Sequence, residues 1–207
     1  MSLGEPWVFP EIRLSLPEWV GAALPPPGHR YATDGEKMGL AIALSRLNIE
    51  HGTGGPFGAA VFEATSSTLL APGVNLVQQL GWSGAHAEMV ALAMAHKRLG
   101  QLDLGADRQV VYELFSSTEP CAMCMGGILW SGIGRLVCGA TDRDARAIGF
   151  DEGIKASDWV EQFRRRGLDV KQGVCREEAV SVLNAYQRQG GLIYNGGGAV
   201  RPSDCTC

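Results

Sequence analysis

The stretch "EPCAMCMGG", residues 119–127, sets two cysteines three residues apart directly after a proline, and "HAE" stands thirty-five residues upstream of the first of them. Histidine and cysteine thiolate are good zinc donors, and three protein donors leave a fourth tetrahedral position open to water, as in a catalytic site. If His86, Cys121 and Cys124 hold one ion, the fold must bring two distant segments to one point. Cys121 and Cys124, at i and i+3, lie on one side of a helical first turn, where the amino-terminal dipole end favours thiolates. His86 and Glu88 would point about 200° apart in mid-helix, so they serve one site only at a helix mouth. An α/β sheet supplies such a meeting point at the carboxyl ends of its strands.

The remainder of the chain fits that demand. Six of the ten prolines fall in the first 27 residues, which predicts an extended arm over residues 1–30 with at most a short helix in it. Apolar positions from Met38 to Leu47 recur at three to four, predicting a helix over Asp34–Glu50 capped by Thr33 or Asp34. "FGAAVFEA" and "LLAPGVNLV" read as a strand pair, and "AHAEMVALAMAHKRL" as a buried helix capped by Ser83 or Gly84. "RQVVYELFSS" reads as a central strand, "PCAMCMGGILWSG" as a helix with Pro120 in its first turn, "GRLVCGAT" as a strand, and "EEAVSVLNAYQRQ" as a helix ended by Gly190. Alternating strands and helices predict an α/β sheet covered on both faces, in one domain over residues 31–190. The Gly-rich tail, 191–207, depends on a partner for order or stays mobile.

With 45% apolar and 19% charged residues the chain can bury a substantial core, and its net charge of -4 removes the broad positive field that nonspecific nucleic-acid binding uses. No run approaches ~20 apolar residues and no signal-peptide pattern opens the chain, so a cytoplasmic location is expected. There the six cysteines stay reduced; Cys138 and Cys175 read as small buried residues. A zinc ribbon would need a second close pair at ribbon spacing, and Cys205 and Cys207 lie about eighty residues on. A redox pair would leave "HAE" without a role. "GTGGPFG" lacks the Lys-Ser/Thr of a phosphate loop, and there is no Gly-x-Ser-x-Gly elbow.

His-x-Glu followed by Pro-Cys-x-x-Cys is a known signature of zinc-dependent nucleobase deaminases. With "GGPFGAAV" and the asparagine of "GVNLV", the chain resembles the cytidine deaminase-like superfamily over roughly residues 33–190. That resemblance implies a three-layer α/β/α sandwich around a mixed sheet of about five strands, with one Zn2+ on His86, Cys121 and Cys124. It implies Glu88 as the general acid–base, and Asn75, Phe57, Ala87 and Trp130 as substrate contacts. The segment "GATDRDARAIGFDEG" resembles guanine deaminases, which carry Thr-Asp at its start and Gly-Phe-acid-acid at its end. Transfer-RNA adenosine deaminases carry Asp-x-Lys-x-Gly there.

The expected activity is therefore hydrolysis of guanine to xanthine and ammonia, with Glu152 on the purine edge and the departing amine. A homodimer with an exchanged C-terminal segment is expected by resemblance, with Tyr194 as a lid contact. Alternatives are a transfer-RNA adenosine deaminase, a deaminase of another aminated ring such as an aminotriazine, and a non-enzymatic zinc module.

Overall fold

Four strands of six or seven residues and one of three pair into one five-stranded sheet in the computed structural model, which describes residues 7–195. The strands are β1 (Gly58–Glu63), β2 (Thr68–Val74), β3 (Tyr112–Thr118), β4 (Arg135–Ala140) and the short β5 (Asp169–Lys171). Their order is β2-β1-β3-β4-β5. β1 runs antiparallel to β2 and to β3, whereas β3, β4 and β5 are parallel, so the sheet is mixed as expected. The "VVYELFSS" run supplies the central strand, but pairing starts at Tyr112, because Val110 turns back to bond the Asp107 carbonyl.

The helices are α1 (Glu18–Ala23), α2 (Asp34–Glu50), α3 (Val77–Leu80), α4 (Ala87–Leu99), α5 (Ala122–Ser131), α6 (Asp142–Ala147), α7 (Trp159–Arg165) and α8 (Arg176–Arg188). α2 starts in a capping box in which the Thr33 hydroxyl accepts from the Glu36 amide while the Glu36 carboxylate reaches back to the Thr33 amide. It covers one sheet face with α8: Met38, Ala41 and Val182 pack on Phe62, Phe115 and Val137. α4, α5 and α7 cover the other, where Ala91, Ile128 and Phe163 meet Val61, Leu114 and Leu136. β1 is buried on both faces for this reason, and its sequence, "GAAVFE", is nearly all apolar instead of alternating. Of the proline-rich arm, α1 is the short helix expected. Its Val20 is buried with Leu44, and Trp19 stacks on His51 at 5.0 Å between ring centroids.

Two registers decide where chemistry can occur. Ala59 faces Ser116 across the antiparallel pair, and Ser116 faces Cys138 across the parallel one. The start of β1, the end of β2 and the carboxyl ends of β3 and β4 therefore fall on one edge of the sheet. The opposite edge is closed by ions: Arg135 bridges Asp34 at 2.8 Å, Glu113 at 3.0 Å and Asp169 at 3.1 Å, and buried Lys37 pairs with the same Glu113.

Three sequence expectations shift. α4 starts at Ala87 with His86 as its N-cap, not at Ser83 or Gly84, because residues 82–85 form a turn and the Ala85 carbonyl is taken by the Leu76 amide. Pro120 precedes the first turn of α5, whose N-cap is Cys121. Cys175 is only half-buried and caps α8 with a left-handed φ of 52°. Cys138 is fully buried as expected, while Cys205 and Cys207 lie outside the described residues.

Candidate metal and catalytic centre

His86, as N-cap of α4, and Cys121, as N-cap of α5, put the two metal-ligand segments at helix starts on the carboxyl edge of the sheet. Cys124 follows one turn into α5, so both sulfurs face the same point. His86 Nδ1 lies 3.3 Å from Cys121 Sγ and 3.5 Å from Cys124 Sγ, and the three donor atoms lie within 4.8 Å of one another. Zinc bonds of about 2.3 Å to sulfur and 2.0 Å to nitrogen at a tetrahedral angle require N···S edges of about 3.5 Å. The two N···S edges therefore match a single tetrahedral Zn2+ held by these three donors.

The charges suit a cation. Cys121 is pushed down to about 4, first by the hydrogen bond from the Cys124 thiol and then by His86, against the upward effect of burial. Cys124, the donor in that bond, is pushed up by it and by burial. Burial alone would lower His86, but the neighbouring Cys121 thiolate raises it. A bound dication reverses the thiol balance and holds both sulfurs as thiolates.

Glu88 is the second residue of α4 and is 6% exposed. Burial, then the Cys121 charge, pushes its carboxyl up. The Ser116 hydroxyl donates to its Oε1 at 3.2 Å, and its Oε2 lies 3.5 Å from Cys124 Sγ. An unmetallated carboxyl thus stands beside the ligand triad, held by a residue of the central strand.

A cleft opens next to this group, and most expected substrate contacts line it. Phe57, just before β1, forms one wall and meets Phe150 edge to face at 4.9 Å. Asn75, just after β2, is buried and lines the cleft; its Oδ1 accepts from the Gly55 and Val77 amides, which leaves its Nδ2 as the free donor of the side chain. Both adjacent acids line the cleft. Glu152 is 5% exposed and burial pushes it up to about 8, with Lys155 partly opposing, whereas Asp151 is exposed and pairs with Arg146. Tyr194 and Leu192 also line the cleft; the Tyr186 hydroxyl donates to the Leu192 carbonyl at 2.7 Å, and Asn195 bonds both Gly149 and Asp151.

Trp130 is corrected. It lies on the outer face of α5, 87% exposed, and does not line this chain's cleft, because the helix turns it away from Cys121 and Cys124. The Ala87 methyl packs in the core with Ala59 and Ala91, leaving only its backbone to meet a ligand. Sequence reasoning missed Phe150, Gln78, Glu119 and Ser116. Phe150 stands in "GFDEG", where it belonged to the family pattern but only an acid was given a role, and the polar end of a central strand, "SSTE", was a signal for Ser116 and Glu119. Nothing pointed to Gln78, an exposed side chain on α3.

A carboxyl poised beside an open His-Cys-Cys centre, on helix mouths over a mixed sheet, defines a zinc-dependent hydrolase of carbon–nitrogen bonds. The chain belongs to the cytidine and deoxycytidylate deaminase zinc-binding family, whose model matches residues 32–140. It is 36% identical over 112 residues to the guanine deaminase of Bacillus subtilis, covering 54% of this chain and 67% of that protein. It is 33% identical over 135 residues to the tRNA-specific adenosine deaminase of Haemophilus influenzae, covering 63% and 70%. A solved structure of guanine deaminase from Nitrosomonas europaea superposes with a TM-score of 0.82 at 39% identity, covering 88% of this chain and 100% of that one.

Proposed function

We propose that the chain deaminates a free aminopurine, guanine to xanthine and ammonia. The observation that carries this reading is the lining of the cleft. Glu88, Glu119, Asp151 and Glu152 line it with Asn75 and Gln78, beside the touching rings of Phe57 and Phe150, and among the described residues no lysine or arginine does. Such a cleft suits a flat neutral ring rich in N–H donors and repels a phosphorylated nucleotide. The similarity to two guanine deaminases supports the same substrate.

A zinc ion on His86, Cys121 and Cys124 lowers the pKa of water, so that a nucleophile is available near neutral pH. Glu88 takes one proton as the water oxygen bonds to C2, and gives it to the adjacent ring nitrogen, leaving a tetrahedral carbon that bears both hydroxyl and amine. Glu152, kept neutral by burial, protonates the amine as the C–N bond breaks with its electron pair. The C2 hydroxyl passes its proton to Glu88, which yields the carbonyl of xanthine, and exchange with solvent resets both acids. The Asn75 Nδ2 holds a ring acceptor, the touching Phe57 and Phe150 rings form one apolar wall for the base, and Tyr194 excludes water. Leu192 and Tyr194 line the cleft of their own chain, which supports a role for this segment beside the substrate. Exchange of a longer tail between subunits concerns residues 196–207, outside the described part.

Ammonia release from guanine by the zinc-loaded protein tests the proposal. Glu88→Gln should keep its zinc and lose at least about 100-fold in kcat, the usual contribution of a general acid–base. A Glu88→Gln variant that still turns over at the parent rate would overturn this mechanism. The relation to tRNA-specific adenosine deaminases supports a second reading, for which guanine would be inert and inosine would form in an anticodon-loop RNA.

A further inference from the structure

Lys155 carries one of the most buried charges near the cleft, its side chain only 7% exposed, yet it does not line the cleft. Its ammonium donates to the Pro120 carbonyl at 3.0 Å and pairs with Asp142 Oδ1 at 2.5 Å. Pro120 is the residue before Cys121. Three residues before Lys155, the Glu152 carbonyl accepts from the Ala122 amide at 2.9 Å, immediately after Cys121. The turn bearing the metal ligand and the loop bearing Glu152 are therefore joined on both sides of Cys121, once in each direction.

The join is anchored from α6. Arg146 Nε bonds Asp142 Oδ2 at 2.7 Å, and its Nη2 donates to the Gly153 carbonyl at 2.7 Å, beside Glu152. The Asp142 amide in turn donates to Glu119 at 2.9 Å, on the strand end that leads into Pro120. The contact is also sterically tight: Gly153 has a φ of +73°, and a Cβ there would lie 2.9 Å from the Ala122 Cβ. Only glycine suits both conditions.

A buried lysine carries a desolvation cost of several kcal/mol that a single ion pair offsets only when its remaining donors are placed. Here one donor serves a backbone carbonyl whose position sets Cys121. We infer that Lys155 is a positioning residue of the reaction: by clamping the Pro120 carbonyl to Asp142 it holds the Cys121 sulfur and the Glu152 carboxyl in fixed relation across the cleft. The inference rests on the proposed function only for the role of Glu152; the clamp on Cys121 stands without it. Ser116, on the central strand, holds Glu88, whereas Lys155, tied to Asp142 of α6, holds the loop that bears Glu152.

The test uses the full chain loaded with Co(II), whose thiolate charge-transfer absorption reports the Cys121 sulfur independently of turnover. Lys155→Met should shift or weaken that band and lower kcat on guanine by about 10- to 100-fold, the usual cost of losing a partner behind a metal ligand. KM should change less than kcat. Lys155→Arg, which keeps the charge and a donor, should restore the band and recover most of the rate, and it carries the test if the methionine variant does not fold. An unchanged band in Lys155→Met would overturn the clamp, as would an arginine variant that folds but loses band and rate. A chain inert toward guanine but with the Co(II) band altered in Lys155→Met would refute the proposed substrate and leave the clamp on Cys121 standing.

Discussion

Gly73→Ala should damage the metal centre from a position in β2 that touches none of its ligands. α4 lies so close to β2 that a Cβ built on Gly73 would stand 2.2 Å from the Ala87 carbonyl oxygen, 2.5 Å from the Ala91 amide nitrogen and 2.8 Å from the Ala91 Cβ. Ordinary contact begins at 3.4 Å, so the helix must retreat by about 1 Å, and because two of the three obstacles are backbone atoms no rotamer change relieves them. The retreating segment begins with His86 and carries Glu88. Metal–ligand distances tolerate about ±0.2 Å, so most of that displacement must appear as weakened zinc binding or as strain. Overpacking of this kind costs about 1–3 kcal/mol, which for a chain of this size lowers Tm by roughly 2–12 °C. The assay is thermal unfolding with zinc measured on the same samples. Gly39→Ala is the matched control: Gly39 sits in the exposed middle of α2 with nothing within 4 Å of a built Cβ, so there the same methyl should stabilise by about 0.5–1 kcal/mol. If Gly73→Ala held one zinc per chain with an unchanged Tm, the close approach of α4 to β2 would not set the position of His86.

Acid stability supplies a second expectation. Asp144 is held down to about 2 by the hydrogen bond from Arg176, and Asp34 is held well below the usual carboxylate range by Arg135 and Lys171. Both folded values lie below the unfolded ones, so their stabilisation is present above about pH 4 and is lost as pH falls through the folded values. In Arg176→Ala, the stability deficit against the parent should be full at pH 5 and close toward pH 2, read from urea midpoints at each pH; a deficit that does not narrow would exclude Asp144 as its source. Chelation should lower Tm markedly, since a ligand bound only to the folded chain at about 1,000 times its Kd contributes ~4 kcal/mol, and zinc alone should restore it.

The sequence made the metal donors legible because their chemistry has few alternatives: a His-x-Glu and a Cys-x-x-Cys need a shared point, and helix mouths on a sheet edge are what provided it. The strands were legible for a similar reason, since "GAAVFE" is too apolar to lie anywhere but between two layers, and "VVYELF" is a short run rich in β-branched and aromatic residues. What failed was everything set by direction instead of type. Trp130 shares a short helix with Cys124, and only the helix's rotation relative to the sheet, fixed by Ile128 and Met125 entering the core, sends its ring outward. α4 was expected to begin earlier because Ser83 and Gly84 have cap chemistry. The Leu76–Ala85 backbone bond, a tertiary contact, delayed it to His86 and so turned a metal ligand into the N-cap itself.

The same distinction explains why Lys155 passed unnoticed while Glu152 did not. The second acid after a Gly-Phe pair matches a pattern, but a lysine three residues on looks like any solvated charge. Its meaning comes from Asp142 and Pro120, thirteen and thirty-five residues away in the chain, which meet it only once β3, α6 and the Glu152 loop have assembled. Residues that do the chemistry are therefore read from their type and spacing, whereas residues that hold them in place are read from burial and partners. In this chain the two groups meet at one turn: the bond that positions Cys121 from outside is made by the neighbour of the residue that faces it from within.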